Sequence, residues 1–93
     1  MPEEAIKKRH GRAVRAVEKA LNYPVGTAQV TVLKNHVFHI EAIRKKEIRK
    51  IRVVLDEITP FDRKIVSSVQ LPENFTREIW CRELNGKFKV IIV

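Results

Sequence analysis

The chain is poor in the residues that most often announce chemistry. Its only cysteine, Cys81, excludes an intrachain disulfide and a cysteine zinc cluster. Aromatic residues make up 6% of the sequence, with a single Trp and a single Tyr, so the interleaved aromatics of single-strand binders are missing. No P-loop, dinucleotide fingerprint, nucleophile elbow or zinc finger is present. No apolar run approaches the ~20 residues of a membrane span. The opening Met1-Pro2-Glu3-Glu4-Ala5 is acidic and leads into no apolar segment, unlike a secretory signal. These absences lead us to expect a cytoplasmic protein with no membrane partner. There are no repeats, linkers or low-complexity stretches, and 93 residues suffice for one domain with one core.

What the chain has is positive charge. Nineteen Lys and Arg stand against eleven Asp and Glu, a net charge of +8. Such a field attracts polyanions and speeds encounters with them, which favours nucleic acid, DNA or RNA, as partner. The charge is uneven. Residues 1–21 hold six basic and three acidic side chains, residues 41–52 six and two, and residues 53–76 two and four. That division predicts a polarised surface.

Periodicity predicts the order α-β-β-β-α-β-β, an α+β (α/β) domain with a mixed sheet and two helices. Residues 3–21 read as a helix, with Pro2, Glu3 and Glu4 suited to its first turn. Ile6, His10, Ala13, Val14, Val17 and Leu21 share one face, and Lys8, Arg12, Arg15 and Lys19 the opposite one. Residues 27–33 and 37–43 alternate like strands, with Lys34-Asn35-His36 as a tight loop. The apolar pattern favours a register pairing Val32 with Phe38 and Val30 with Ile40, with Asn35 or His36 left-handed. Gln29 then lies opposite Glu41, and Thr31 opposite His39. Residues 47–55 fit helix or strand, and their β-branched run tips the reading to strand. Thr59-Pro60-Phe61-Asp62 is a helix start with a capping-box pattern, opening a helix over 60–70 whose shared face is Phe61, Ile65 and Val69. Residues 77–84 and 87–93 read as strands joined by Asn85-Gly86. The last strand is almost wholly apolar, which predicts a central or doubly covered position.

This order, together with Gly26-Thr27-Ala28-Gln29-Val30 and His39-Ile40-Glu41-Ala42-Ile43, resembles the restriction-endonuclease-like (PD-(D/E)XK) superfamily, which includes archaeal Holliday-junction resolvases and other small nucleases. The resemblance implies a restriction-endonuclease-like core. It also implies an acidic pair holding Mg²⁺ and a lysine that positions or activates the attacking water. Carried over residue by residue, Glu41 matches as metal ligand and catalytic carboxylate. Gln29 stands at the family aspartate and Ile43 at the family lysine. Glu18 answers to a helix glutamate that some members use, and Lys50 or Arg52 could supply a relocated cation from the next strand. The implied protein binds nucleic acid on a nuclease-like scaffold whose catalysis has degenerated or weakened.

Two basic constellations would carry binding. Lys8, Arg12, Arg15 and Lys19 span about 16 Å of helix at ~1.5 Å per residue, enough to track several phosphates. Arg44, Lys45, Lys46, Arg49, Lys50 and Arg52 form a denser cluster suited to phosphate contacts, or to guarding an edge strand. His39 and Glu41, two apart, read as a surface or hydrogen-bonded pair rather than a metal site. His10 reads as a helix-boundary residue, Trp80 as core more than as a stacking platform with Tyr23, and Cys81 as a small buried hydrophobe. The alternative is a small interaction or regulatory module that homodimerises through an edge strand, with Asp56, Glu57 and Asp62 as an acidic patch for self-association.

Overall fold

A computed structural model of the chain describes residues 3–34 and 37–93. The expectations for Pro2, Asn35 and His36 lie outside these residues. The elements run α1 (Glu3–Leu21), β1 (Gln29–Val32), β2 (Ile40–Arg44), β3 (Glu47–Leu55), α2 (Pro60–Ser68), β4 (Phe75–Arg82) and β5 (Phe88–Ile92), the expected α+β order. The strands form one mixed sheet, β1-β2-β3-β4-β5, in which only β3 and β4 are parallel.

Local chemistry sets the element ends. Asn22 takes a left-handed φ of 47° and its N–H bonds the Lys19 carbonyl at 3.1 Å, closing α1. β2 turns into β3 through Lys45 and Lys46, with Lys45 at φ 55°. A lysine there is strained, because its Cβ crowds the backbone as a glycine would not. α2 begins as its sequence predicts: the Thr59 hydroxyl accepts from the Asp62 N–H, the Asp62 carboxylate accepts from the Thr59 N–H, and Pro60 occupies the first turn.

The sheet carries one helix on each face, offset from one another. Ala13, Val14 and Val17 of α1 pack on Ile40, Ile51 and Val53, with Val30, Trp80 and Phe88 at the margin. On the opposite face Val66 of α2 packs with Phe38, Val54, Ile79 and Cys81. Strand alternation places Gln29, Thr31, Glu41 and Ile43 of β1 and β2, and Lys50 of β3, on the α2 face.

Four expectations are corrected. The β1–β2 register is shifted by two: Val30 pairs with Ala42 and Val32 with Ile40, so Gln29 lies opposite Ile43, and Thr31 opposite Glu41. Phe38 leaves the ladder to enter the core beside α2, and the loop lengthens to accommodate it. A slip of two keeps each side chain on its face, so Gln29 and Glu41 become diagonal neighbours. On α2 the inward face is Asp62 and Val66, while Phe61 is 63% exposed, because the cap draws Asp62 inward. The last hairpin has a three-residue loop, Leu84-Asn85-Gly86, in which only Gly86 is left-handed (φ 83°). A two-residue Asn-Gly turn of type I′ needs both residues left-handed. Finally, β5 is an edge strand, with Ile92 76% and Val90 44% exposed. The β3–α2–β4 crossover sets β4 beside β3, and the hairpin leaves β5 outermost, whatever its composition.

Thr59→Ala removes a hydroxyl that both accepts from the Asp62 amide and donates to its carboxylate. We expect it to lower stability by about 1 kcal/mol, read as a shift in urea midpoint at unchanged slope.

Candidate nucleic-acid interface

The basic residues divide into exposed and internally partnered sets. Lys8, Arg12, Arg15 and Lys19 are exposed along the outer face of α1, and Arg44, Lys45 and Lys46 are exposed at the β2–β3 turn. Further along β3 the charges are used inside the fold. Arg49 makes a bidentate pair with Glu78 at 2.7 and 2.6 Å, Lys50 Nζ lies 2.7 Å from Glu41 Oε1, and Arg52 bonds both Asp62 (3.0 Å) and the Val37 carbonyl (2.9 Å).

Tyr23, just past α1, joins the two basic segments. Arg49 Nη1 donates to the Tyr23 hydroxyl at 3.0 Å, and the Arg44 guanidinium sits 5.8 Å over its ring. The last turn of α1, bearing Lys19, is thereby held beside the Arg44–Lys46 turn. The anchor is Glu78, 4% exposed, whose carboxylate accepts from Arg49, Thr76 and the Trp80 indole. Burial would push its carboxyl up, but Arg49 and Trp80 hold it below the ordinary range. The same hydrogen bonds keep Arg49 firmly protonated.

The residues singled out by the nuclease resemblance lie on the other face. Gln29 and Glu41 share a polar surface, and Lys50, one strand over, pairs with Glu41. Ile43 lies opposite Gln29. Glu18 belongs to α1, which packs on the opposite face, so it does not join Glu41. Mg²⁺ is bound through one or two carboxylates, substrate phosphates and waters. Here one carboxylate is already neutralised by a lysine, and among the described residues no group of three or more His, Cys, Asp or Glu could hold a metal. These residues do not fit Mg²⁺.

Two histidines take a structural part. Beyond Ile51 the β3 edge facing β2 has lost its partner, because Phe38 has turned into the core. His39 Nδ1 accepts from the Val53 N–H at 2.9 Å, His10 Nε2 donates to the Val53 carbonyl at 2.8 Å, and the two rings meet edge-on with centroids 4.5 Å apart. His39 and Glu41 therefore have different partners and form no pair, and His10 lies inside α1 rather than at its boundary. Asp62 is withdrawn from the acidic patch: burial works against its charge, while Thr59 and Arg52 hold its carboxyl below the usual range. Cys81 is buried, which pushes its thiol up, and Trp80 is half-buried against Phe88.

Sequence spacing carried no signal for the Tyr23–Arg49–Glu78 chain, whose members are 26 and 29 residues apart. One hint of the Val53 cap was visible: His10 interrupts the aliphatic face of α1, and a polar group there needs a partner. Compared with known proteins, the chain matches no protein-family model and no curated protein.

Burial, reinforced by His10 and Arg52 and opposed by Asp62, lowers His39 from 6.5 to about 4. Between those values the unfolded chain binds a proton that the folded chain refuses. Stability is therefore full above pH 6.5 and is lost as pH falls toward 4. His39→Asn retains an acceptor without a titrating ring. Its melting temperature is expected to vary less than wild type's over that interval; equal slopes would exclude His39 as the source.

Proposed function

We propose that the chain binds nucleic acid through the phosphate backbone, on a scaffold resembling the restriction-endonuclease-like nucleases but without a working metal site. The observation that carries this reading is the tie through Tyr23, which holds the Lys19 end of α1 next to Arg44 of the β2–β3 turn. The seven exposed cations of α1 and of that turn suit phosphate contacts, which give affinity without base reading. Lys45 adds a further argument. A left-handed turn position favours glycine or asparagine, yet a strained, exposed lysine occupies it. The Glu41–Lys50 pair supports a structural, not hydrolytic, role for the opposite face.

Affinity for duplex and single-stranded DNA and RNA should fall linearly in log–log plots against salt. Lys45→Gly should raise stability by about 1 kcal/mol while reducing the salt slope by about 1. The absence of salt-dependent binding to any of the four nucleic acids would sink the proposal. Added Mg²⁺ should produce no cleavage, and Glu41→Gln should bind as wild type does. Metal-dependent cleavage abolished by Glu41→Gln would instead restore a nuclease.

The bare outer edge of β5 supports a second reading, self-association of an interaction module. Unpaired strand edges invite pairing, and exposed Val90 and Ile92 lend apolar area to the contact. Light scattering should then give a dimer mass that Ile92→Lys reduces to that of a monomer. A monomeric wild type across the micromolar range would dismiss this reading.

A further inference from the structure

A groove of about 530 Å³ runs between α1 and the end of β1, separate from the Glu41 surface. Gly11 lies in its wall, midway along α1. A glycine inside a helix is unfavourable, because its backbone loses more freedom than alanine's. Nothing in the fold requires it: an added Cβ would meet only Arg15 Nη2, at an ordinary 3.7 Å. A glycine with no internal reason fits a backbone that something outside the fold must approach closely.

The groups around it have a definite chemistry. The Arg15 guanidinium lies back along the helix, with Nε donating to the Gly11 carbonyl at 3.3 Å, and its remaining N–H groups have no partner among the described residues. Lys34 supplies a second cation from the end of β1. Because His39 accepts at Nδ1 from Val53, its proton sits on Nε2 and makes that atom a donor. Nε2 has no partner among the described residues, and no buried side-chain nitrogen or oxygen is unpartnered, so it is reachable from solvent. Val14 and Val32 give the groove apolar wall, and Glu18 places one carboxylate there.

Two cations and a neutral N–H donor suit a phosphate. The apolar wall suits a base or sugar, and a carboxylate accepts from sugar hydroxyls or exocyclic amines. The volume falls within the roughly 300–1,000 Å³ of small-molecule sites. We propose that this groove binds one nucleotide unit, with its phosphate on Arg15 and Lys34 and its apolar part against Val14 and Val32. The proposal rests on the nucleic-acid reading for its source: the unit belongs to a strand, or is a free nucleotide of the same chemistry.

The test titrates the full chain with adenosine and uridine 5′-monophosphates, and separately with a single-stranded oligonucleotide, following backbone amide shifts. Gly11→Ala should raise the melting temperature by about 4–8 °C yet weaken monophosphate binding about tenfold. Arg15→Gln should weaken it about tenfold or more. Lys64→Gln, on α2 across the sheet from the groove, should bind the monophosphates as wild type does. Oligonucleotide binding weakened by Gly11→Ala, which leaves every cation in place, would assign the unit to a strand; binding confined to the monophosphates would assign it to a free nucleotide. Oligonucleotide binding that stays salt-dependent and indifferent to Gly11→Ala, with no saturable monophosphate shifts, overturns the groove and leaves the basic surface standing. Failure of both ligands overturns the groove, and failure of duplex DNA and RNA as well overturns the nucleic-acid reading with it.

Discussion

A carboxylate taken out of water must be neutralised and hydrogen-bonded, and in this protein that demand falls on Glu78. It lies on β4, on the sheet face that carries α1, and Arg49, Thr76 and Trp80 answer it. The guanidinium that satisfies Glu78 has donors to spare, and one holds Tyr23. Tyr23 in turn holds the end of α1 in place and lies beneath Arg44. Removing one partner from a buried pair typically costs about 3–5 kcal/mol, so the placement of the basic surface depends on an ion pair that lies beneath it.

The same logic recurs along β3. Strand alternation sends Arg49 to the α1 face, and Lys50 and Arg52 are spent on Glu41 and Asp62. The dense basic run of residues 44–52 thus splits in two. Its turn remains available to a polyanion, while its strand balances internal acids. Net charge overstates the cationic surface, because part of it compensates carboxylates that the fold itself has buried or half-buried. The acidic segment is thinned likewise, with Asp62 acting as cap and counter-ion at once.

Local patterns were legible wherever a short stretch contains its own explanation. The Thr59–Asp62 capping box, the aliphatic face of α1 around Ala13, Val14 and Val17, and the strand over residues 47–55 all depend on neighbours a few residues away. Patterns failed where a distant group competed. The hairpin register slipped because Phe38 gained more by entering the core beside Val66 than by pairing with Val32. β5 looked central because its side chains are apolar, but strand position follows from connectivity.

Residue identities and their spacing were enough for the element order, the Thr59–Asp62 cap and the apolar face of α1. These follow from periodicity and residue identity, which act over a turn of helix or two residues of strand. Only the tertiary structure decided which cations remain free, that Tyr23 joins the two basic segments, and that His10 and His39 close the open edge at Val53. These depend on groups 9 to 43 residues apart along the chain. Burial creates the need for a partner, and the packed fold alone determines which group is near enough to meet it.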